Sequence, residues 1–307
     1  MALSESYVQS IESENSEMKN SVIVIICFFV LMVSCKKKEV RLIDSPQQGE
    51  ITMEVDESFA SVSEALTDRY MALYPGTKIN LEIKKEDFAF LDLLKRKTRV
   101  IVMSRDLTPS EKEAYKKETN LDWLPAKFAA DAVVFIVPKD SPRESISLEE
   151  IKNELNGNTK NIIFDGTNSS NLNFVAQKLS TTPDKLQFSI INGNKNIVEQ
   201  LNKFPEKIGA IGLNTISRPY DPESELLRNS IKILKVTKDN KSYEPSVENL
   251  ANMSYPFSRV LYFLTNEKYF GLGNGFIRFS CTQLGQIVVS KEGLQPYHIF
   301  KREVQMR

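Results

Sequence analysis

Three short segments collect the residue types that hold a small anion. They are Asp56-Glu57-Ser58-Phe59-Ala60, Ser104-Arg105-Asp106 and Asp165-Gly166-Thr167-Asn168-Ser169-Ser170-Asn171. Each follows an apolar run and precedes either a helical pattern or a helix-start signal, where free backbone N–H groups point outward. Serine hydroxyls, the Asn168 amide and the Arg105 guanidinium add side-chain donors suited to a compact oxyanion. Asp56, Asp106 and Asp165 are candidate acceptors for the proton of a protonated oxyanion, and a carboxylate facing the crevice would repel an anion that carries no proton. One such junction alone is an ordinary helix cap. Three in series, one with an arginine, read as a binding crevice.

Catalysis fits the residue inventory poorly. The chain has one histidine, His298, and three cysteines, too few for a multi-His or multi-Cys metal site. A serine nucleophile needs an adjacent base, and none is visible beside Ser58, Ser104 or Ser169. Charge is balanced at 40 basic and 40 acidic residues, without the excess a nucleic-acid binder carries. No cofactor, metal or catalytic residue is expected.

The elements that position the three segments alternate along 307 residues, enough for about two domains. Ile51, Met53 and Val55 alternate as a strand, and Val62, Leu66, Tyr70 and Leu73 recur at helical spacing. Further strands are predicted at 79–83, 100–103, 132–137, 162–164, 208–213, 231–236 and 260–264. Helix starts stand at Thr108-Pro109-Ser110-Glu111 and Ser147-Leu148-Glu149-Glu150, both capping boxes. The fold class is α/β with largely parallel sheets. Lone residues read structurally: Arg259 as an ion pair or inter-lobe contact, Trp123 as a core edge, Cys281 as a small core hydrophobe.

Before this body lies an unbroken apolar run, 22–33, preceded by Met18-Lys19 and followed by Ser34-Cys35-Lys36-Lys37-Lys38. The run is short for a membrane span and suits a signal peptide. Ser34-Cys35 resembles a bacterial lipobox, with Cys35 the lipidated first residue. Residues 1–34 are read as signal peptide, with Met18 a candidate start because 1–17 are acidic and polar. Residues 35–49 are read as the lipidated cysteine and a tether, placing the protein on the extracytoplasmic side of the cell envelope.

From Ile51 onward the chain resembles the substrate-binding lipoproteins of phosphate ABC importers, a branch of the type 2 periplasmic-binding-protein fold. The segments carrying the resemblance include Ser58-Phe59, Met103-Ser104-Arg105-Asp106, Ala132 to Pro138, Ile208-Gly209-Ala210-Ile211-Gly212 and Tyr255-Pro256-Phe257-Ser258-Arg259. The resemblance implies two lobes closing on an anion, with Ser58, Phe59, Ser104, Arg105, Asn168, Ser169 and Ser170 as ligand residues. Lobe one is expected to hold 50–135 plus 238–307, and lobe two 136–237. The expected function is capture of an oxyanion, phosphate first, for an importer permease. The alternative is an accessory envelope lipoprotein that acts through protein contacts. The third segment departs from the family pattern: Phe164 stands where an arginine is usual, and Asn168-Ser169-Ser170 replaces Ser-Gly-Thr.

Overall fold

The computed structural model of the protein describes residues 44–300, so the expected signal segment 1–34, Cys35 and the tether as far as residue 43 lie outside the described residues. The strands are β1 (Gly49–Val55), β2 (Thr77–Ile83), β3 (Val100–Met103), β4 (Ala126–Pro138), β5 (Ser145–Ser147), β6 (Ile162–Phe164) and β7 (Ser189–Ile190). They continue as β8 (Ile208–Gly212), β9 (Ile231–Ile233), β10 (Lys235–Lys238), β11 (Lys241–Tyr243), β12 (Ser258–Thr265) and β13 (Gln295–Pro296). The helices are α1 (Ala60–Leu73), α2 (Glu86–Leu94), α3 (Pro109–Thr119), α4 (Leu148–Asn156) and α5 (Ser170–Lys178). After them come α6 (Asn194–Gln200), α7 (Pro222–Ser230), α8 (Val247–Ala251), α9 (Leu272–Ser280) and α10 (Gln283–Lys291).

The main sheet runs β2-β1-β3-β12-β4-β8-β6-β7, and β9 and β13 also pair with β4. Pairings among β1, β2 and β3 are parallel, as are those among β6, β7 and β8. The exceptions are β4 and β12, which run antiparallel to their main neighbours. One strand serves both halves: β4 pairs through 126–132 with β12 and through 133–136 with β8. Its 13 residues are nearly all buried, as expected of a strand covered on both faces.

The two larger of three buried cores share this strand, and a smaller third one holds Phe90, Ile101, Met103 and Tyr262. Met53, Val55, Leu66, Phe128, Phe263 and Phe276 lie in the first of the larger two, and Phe135, Ile151, Phe164, Val175 and Ile211 in the second. Helix α1 turns Val62, Leu66 and Tyr70 inward, the i, i+4, i+8 face of an amphipathic helix. Both predicted capping boxes form, with Pro109 opening α3 and Gly157 closing α4.

Three expectations are corrected. Of residues 238–257, expected in lobe one, Leu250, Tyr255 and Phe257 are buried in the second core. The chain was expected to return at 231–236. That stretch is instead two short strands, β9 on the end of β4 and β10 against β5, with Leu234 and Val236 in the second core. The return is β12, whose first residue, Ser258, pairs with Ala132. The last tether residues, 44–49, are packed on the body: Asp44 pairs with Arg99 at 2.7 Å and accepts from the Leu272 N–H at 2.9 Å.

Candidate functional site

The three segments meet where the two halves of the sheet face one another. Asp56 caps the short turn Glu57–Phe59 that leads into α1, and it is fully buried. Its Oδ1 accepts from the Ser58 N–H at 3.1 Å. Its Oδ2 accepts from the Glu86 N–H at 3.2 Å and the Ser170 N–H at 3.1 Å. Asp56 therefore takes backbone donors from the starts of three elements: the turn before α1, α2 and α5. The Ser58 Oγ accepts from Asn194 Nδ2 at 3.2 Å. Phe59 donates its N–H to the Asp56 carbonyl, and its ring lies 4.7 Å beneath the Arg259 guanidinium.

Glu86 holds the second segment. Its Oε1 accepts both the Ser104 N–H, at 2.7 Å, and the Ser104 hydroxyl, at 2.9 Å. Arg105 lies against Glu86 (3.5 Å), Asp87 (2.9 Å) and Glu111 (2.8 Å). Burial alone works against the Arg105 charge, but the bonds to Glu111 and Glu86 hold its proton on more tightly than usual. Burial pushes the Glu86 carboxyl up to about 7, with Asp56 and Asp87 adding to the rise and Arg105 opposing it. Asp106 is exposed at the rim; its backbone N–H and carbonyl are both bonded to Gln177 of α5, at 3.0 and 2.9 Å.

In the third segment, Lys85 reaches Asp165 at 2.6 Å. Burial and the nearby Asp56 carboxylate raise the Asp165 proton affinity, and Lys85 counters them. Ser169 opens α5 and donates its hydroxyl to the Gly166 carbonyl at 3.1 Å. Asn168 directs its side-chain amide to neighbouring Thr167 and its carbonyl to the Asp87 N–H. Glu86 Oε2, Asp165 Oδ1 and Ser170 Oγ are buried without a hydrogen-bond partner. Beside the cluster, Asp87, Phe90, Arg105, Asn173 and Gln177 line a cavity of about 640 Å³.

The structure thus brings Asp56, Ser58, Ser104, Arg105, Asp165 and Ser170 together and leaves Asp106 and the Asn168 side chain aside. Sequence reasoning missed Lys85, Glu86 and Asn194. Lys85-Glu86-Asp87 lies one residue beyond β2 and opens α2, so it is a fourth strand-to-helix junction of the same kind. Asn194 bridges Ser58, Asp165, Asn171 and Gly212 from the start of α6, and no local pattern marks it. Among the described residues, no group of three or more His, Cys, Asp or Glu is arranged to hold a metal. No described helix is long and apolar enough to cross a membrane.

Arg259 forms the ion pair expected of it. It faces Asp131 across β4 and β12, with both side chains fully buried and Nη2 to Oδ2 at 2.7 Å. Trp123 packs edge-on against Tyr262 and lies under Lys112. Cys281 has no disulfide partner among the described residues, and burial pushes its thiol up to about 11.

A phosphate-binding protein PstS of Borreliella burgdorferi is 26% identical over 247 residues, which are 73% of this chain and 82% of that protein. Among solved structures, a putative phosphate ABC transporter substrate-binding protein with bound phosphate, from Clostridium perfringens, superposes with a TM-score of 0.66 at 22% identity. That match covers 81% of this chain and all of the other. An ABC-type phosphate transport receptor from Vibrio cholerae gives 0.60 at 17% identity, again over 81% of this chain and all of the other. The family model of the PBP superfamily domain matches residues 43–283. With its two half-sheets sharing crossover strands, this chain belongs to the PBP superfamily and has the type 2 form of that fold.

Proposed function

We propose that the protein is a non-enzymatic solute-binding protein that captures a compact oxyanion, phosphate first, and delivers it to an ABC importer. The observation that carries this reading is the convergence of the Ser58, Glu86 and Ser170 N–H groups on one buried oxyanion, the Asp56 carboxylate. A position that holds a carboxylate with fixed donors has the chemistry to hold a phosphate oxygen. The matched relatives, which carry phosphate in their names, support the same class of ligand. Strands β4 and β12 act as the hinge between lobe one (44–132 with 258–300) and lobe two (133–257).

We propose further that Cys35 carries the lipid anchor, and the adjacent Lys36-Lys37-Lys38 run favours an anionic membrane surface. Cys35→Ala should release the protein from membranes or leave an unprocessed precursor. Unmodified Cys35 in membrane-bound protein, read by mass spectrometry, contradicts the anchor.

A second reading, an accessory envelope protein working through contacts, has its own observation: the donors are already taken by Asp56 and Glu86. Calorimetry with phosphate and sulfate on refolded, ligand-stripped protein separates the two readings. Oxyanion capture predicts phosphate binding in preference to sulfate, with Asp165 or Glu86 accepting the phosphate proton. Equal or tighter sulfate binding contradicts that selectivity. No binding of either anion, by this chain or by variants that free the donors, favours the accessory role.

A further inference from the structure

The donors suited to an oxyanion are bonded to the protein's own carboxylates. Asp56 takes three backbone N–H groups, and Glu86 takes the N–H and hydroxyl of Ser104. The Ser58 and Ser104 N–H groups belong to the oxyanion site proposed above, so the two carboxylates take donors that a solute oxygen would need. We infer that Asp56 and Glu86 are tethered occupants of the oxyanion position, which determine what the crevice admits by having to move before a free anion enters.

The charge balance supports this. Lys85 and Arg105 already face four carboxylates, Asp165, Glu86, Asp87 and Glu111, and the nearby Arg259 is paired with Asp131. A doubly charged anion brought beside them with Asp56 and Glu86 still in place meets like charge at close range in a buried setting. Side chains also join the two halves directly. Asp56 bonds to the Ser170 N–H, Lys85 to Asp165, Asn173 Nδ2 to Asp87 at 2.8 Å, and Gln177 to both backbone groups of Asp106. Closure around an anion is usually driven by the anion bridging both lobes. Here a side chain of the first half supplies that bridge.

This inference rests on the oxyanion reading above and specifies how that site is controlled. Its test is calorimetry with inorganic phosphate on the folded chain and three variants: Asp56→Gly, Asp56→Asn, and the double variant Asp56→Gly with Glu86→Gln. Circular dichroism establishes which variants fold, and Asp56→Asn keeps the side-chain volume should the glycine variants not fold. Freeing the Ser58, Glu86 and Ser170 N–H groups should tighten phosphate binding at least tenfold in Asp56→Gly. The double variant should bind more tightly still, and Asp56→Asn should show a smaller gain. Phosphate binding by the unaltered chain that is as tight as, or tighter than, in every folded variant overturns the inference and leaves the oxyanion reading standing. Absence of phosphate binding in the unaltered chain and in every folded variant overturns both.

Discussion

Glu86 is an acid held where its charge is costly. Asp56 and Asp87 face it, Arg105 opposes them, and Tyr262 of β12 also senses its charge. Its carboxyl titrates near 7 in the fold against 4.5 in a free chain, so the folded state binds the extra proton. A raised value contributes stability that is complete below the unfolded value and is lost as pH rises through about 7. A change of that size is worth about 3 kcal/mol, or about 5–10 °C in melting midpoint for a body of this size. Between pH 5 and 8 the midpoint should fall, and Glu86→Gln should remove that share of the fall. Identical profiles for the two proteins, measured by thermal melts, contradict the assignment. Asp165 shifts in the same direction, so some slope should persist in the variant.

Among the elements, β4 and β12 carry the most unusual pair. Asp131 and Arg259 are aligned in register and fully sealed from water, and the Arg259 guanidinium lies over the Phe59 ring. Burial raises the Asp131 proton affinity, and the Arg259 charge opposes that rise. Arg259→Ala leaves an uncompensated buried carboxylate, which costs about 3–5 kcal/mol. Urea unfolding should show that loss, and pairing Arg259→Met with Asp131→Leu should restore most of it. A single variant as stable as the parent contradicts a structural role for the pair. The residue types at 131 and 259 were plain in the sequence, and an ion pair was expected at Arg259. Its partner was not, because antiparallel register between strands 128 residues apart is a tertiary fact.

Across the whole molecule, strands, helix caps and α/β class were legible because periodicity and capping chemistry are local. The three anion-type junctions were legible for the same reason. The second core's claim on Leu250, Tyr255 and Phe257 was not, since it depends on how the chain folds back on β4. Nor was the self-occupied crevice: Asp56 reads in the sequence as a candidate proton acceptor and Glu86 carries no signal, and only the fold brings the α2 and α5 N–H groups to the Asp56 carboxylate. The clasp between Gln177 and Asp106 closes the same crevice at its rim. Gln177→Ala should loosen it, seen as a larger radius of gyration by solution scattering without phosphate. An unchanged radius contradicts a clasping role.

The most direct measurement is amide NMR of the folded chain titrated with phosphate. If the crevice holds an oxyanion at the starts of these elements, the Ser58, Ser104 and Ser170 N–H signals should move together and saturate with one dissociation constant. Asp56→Gly should lower that constant at least tenfold. Phosphate titrations that leave all three signals in place, in the parent and in the folded Asp56→Gly protein, contradict an oxyanion site in this crevice.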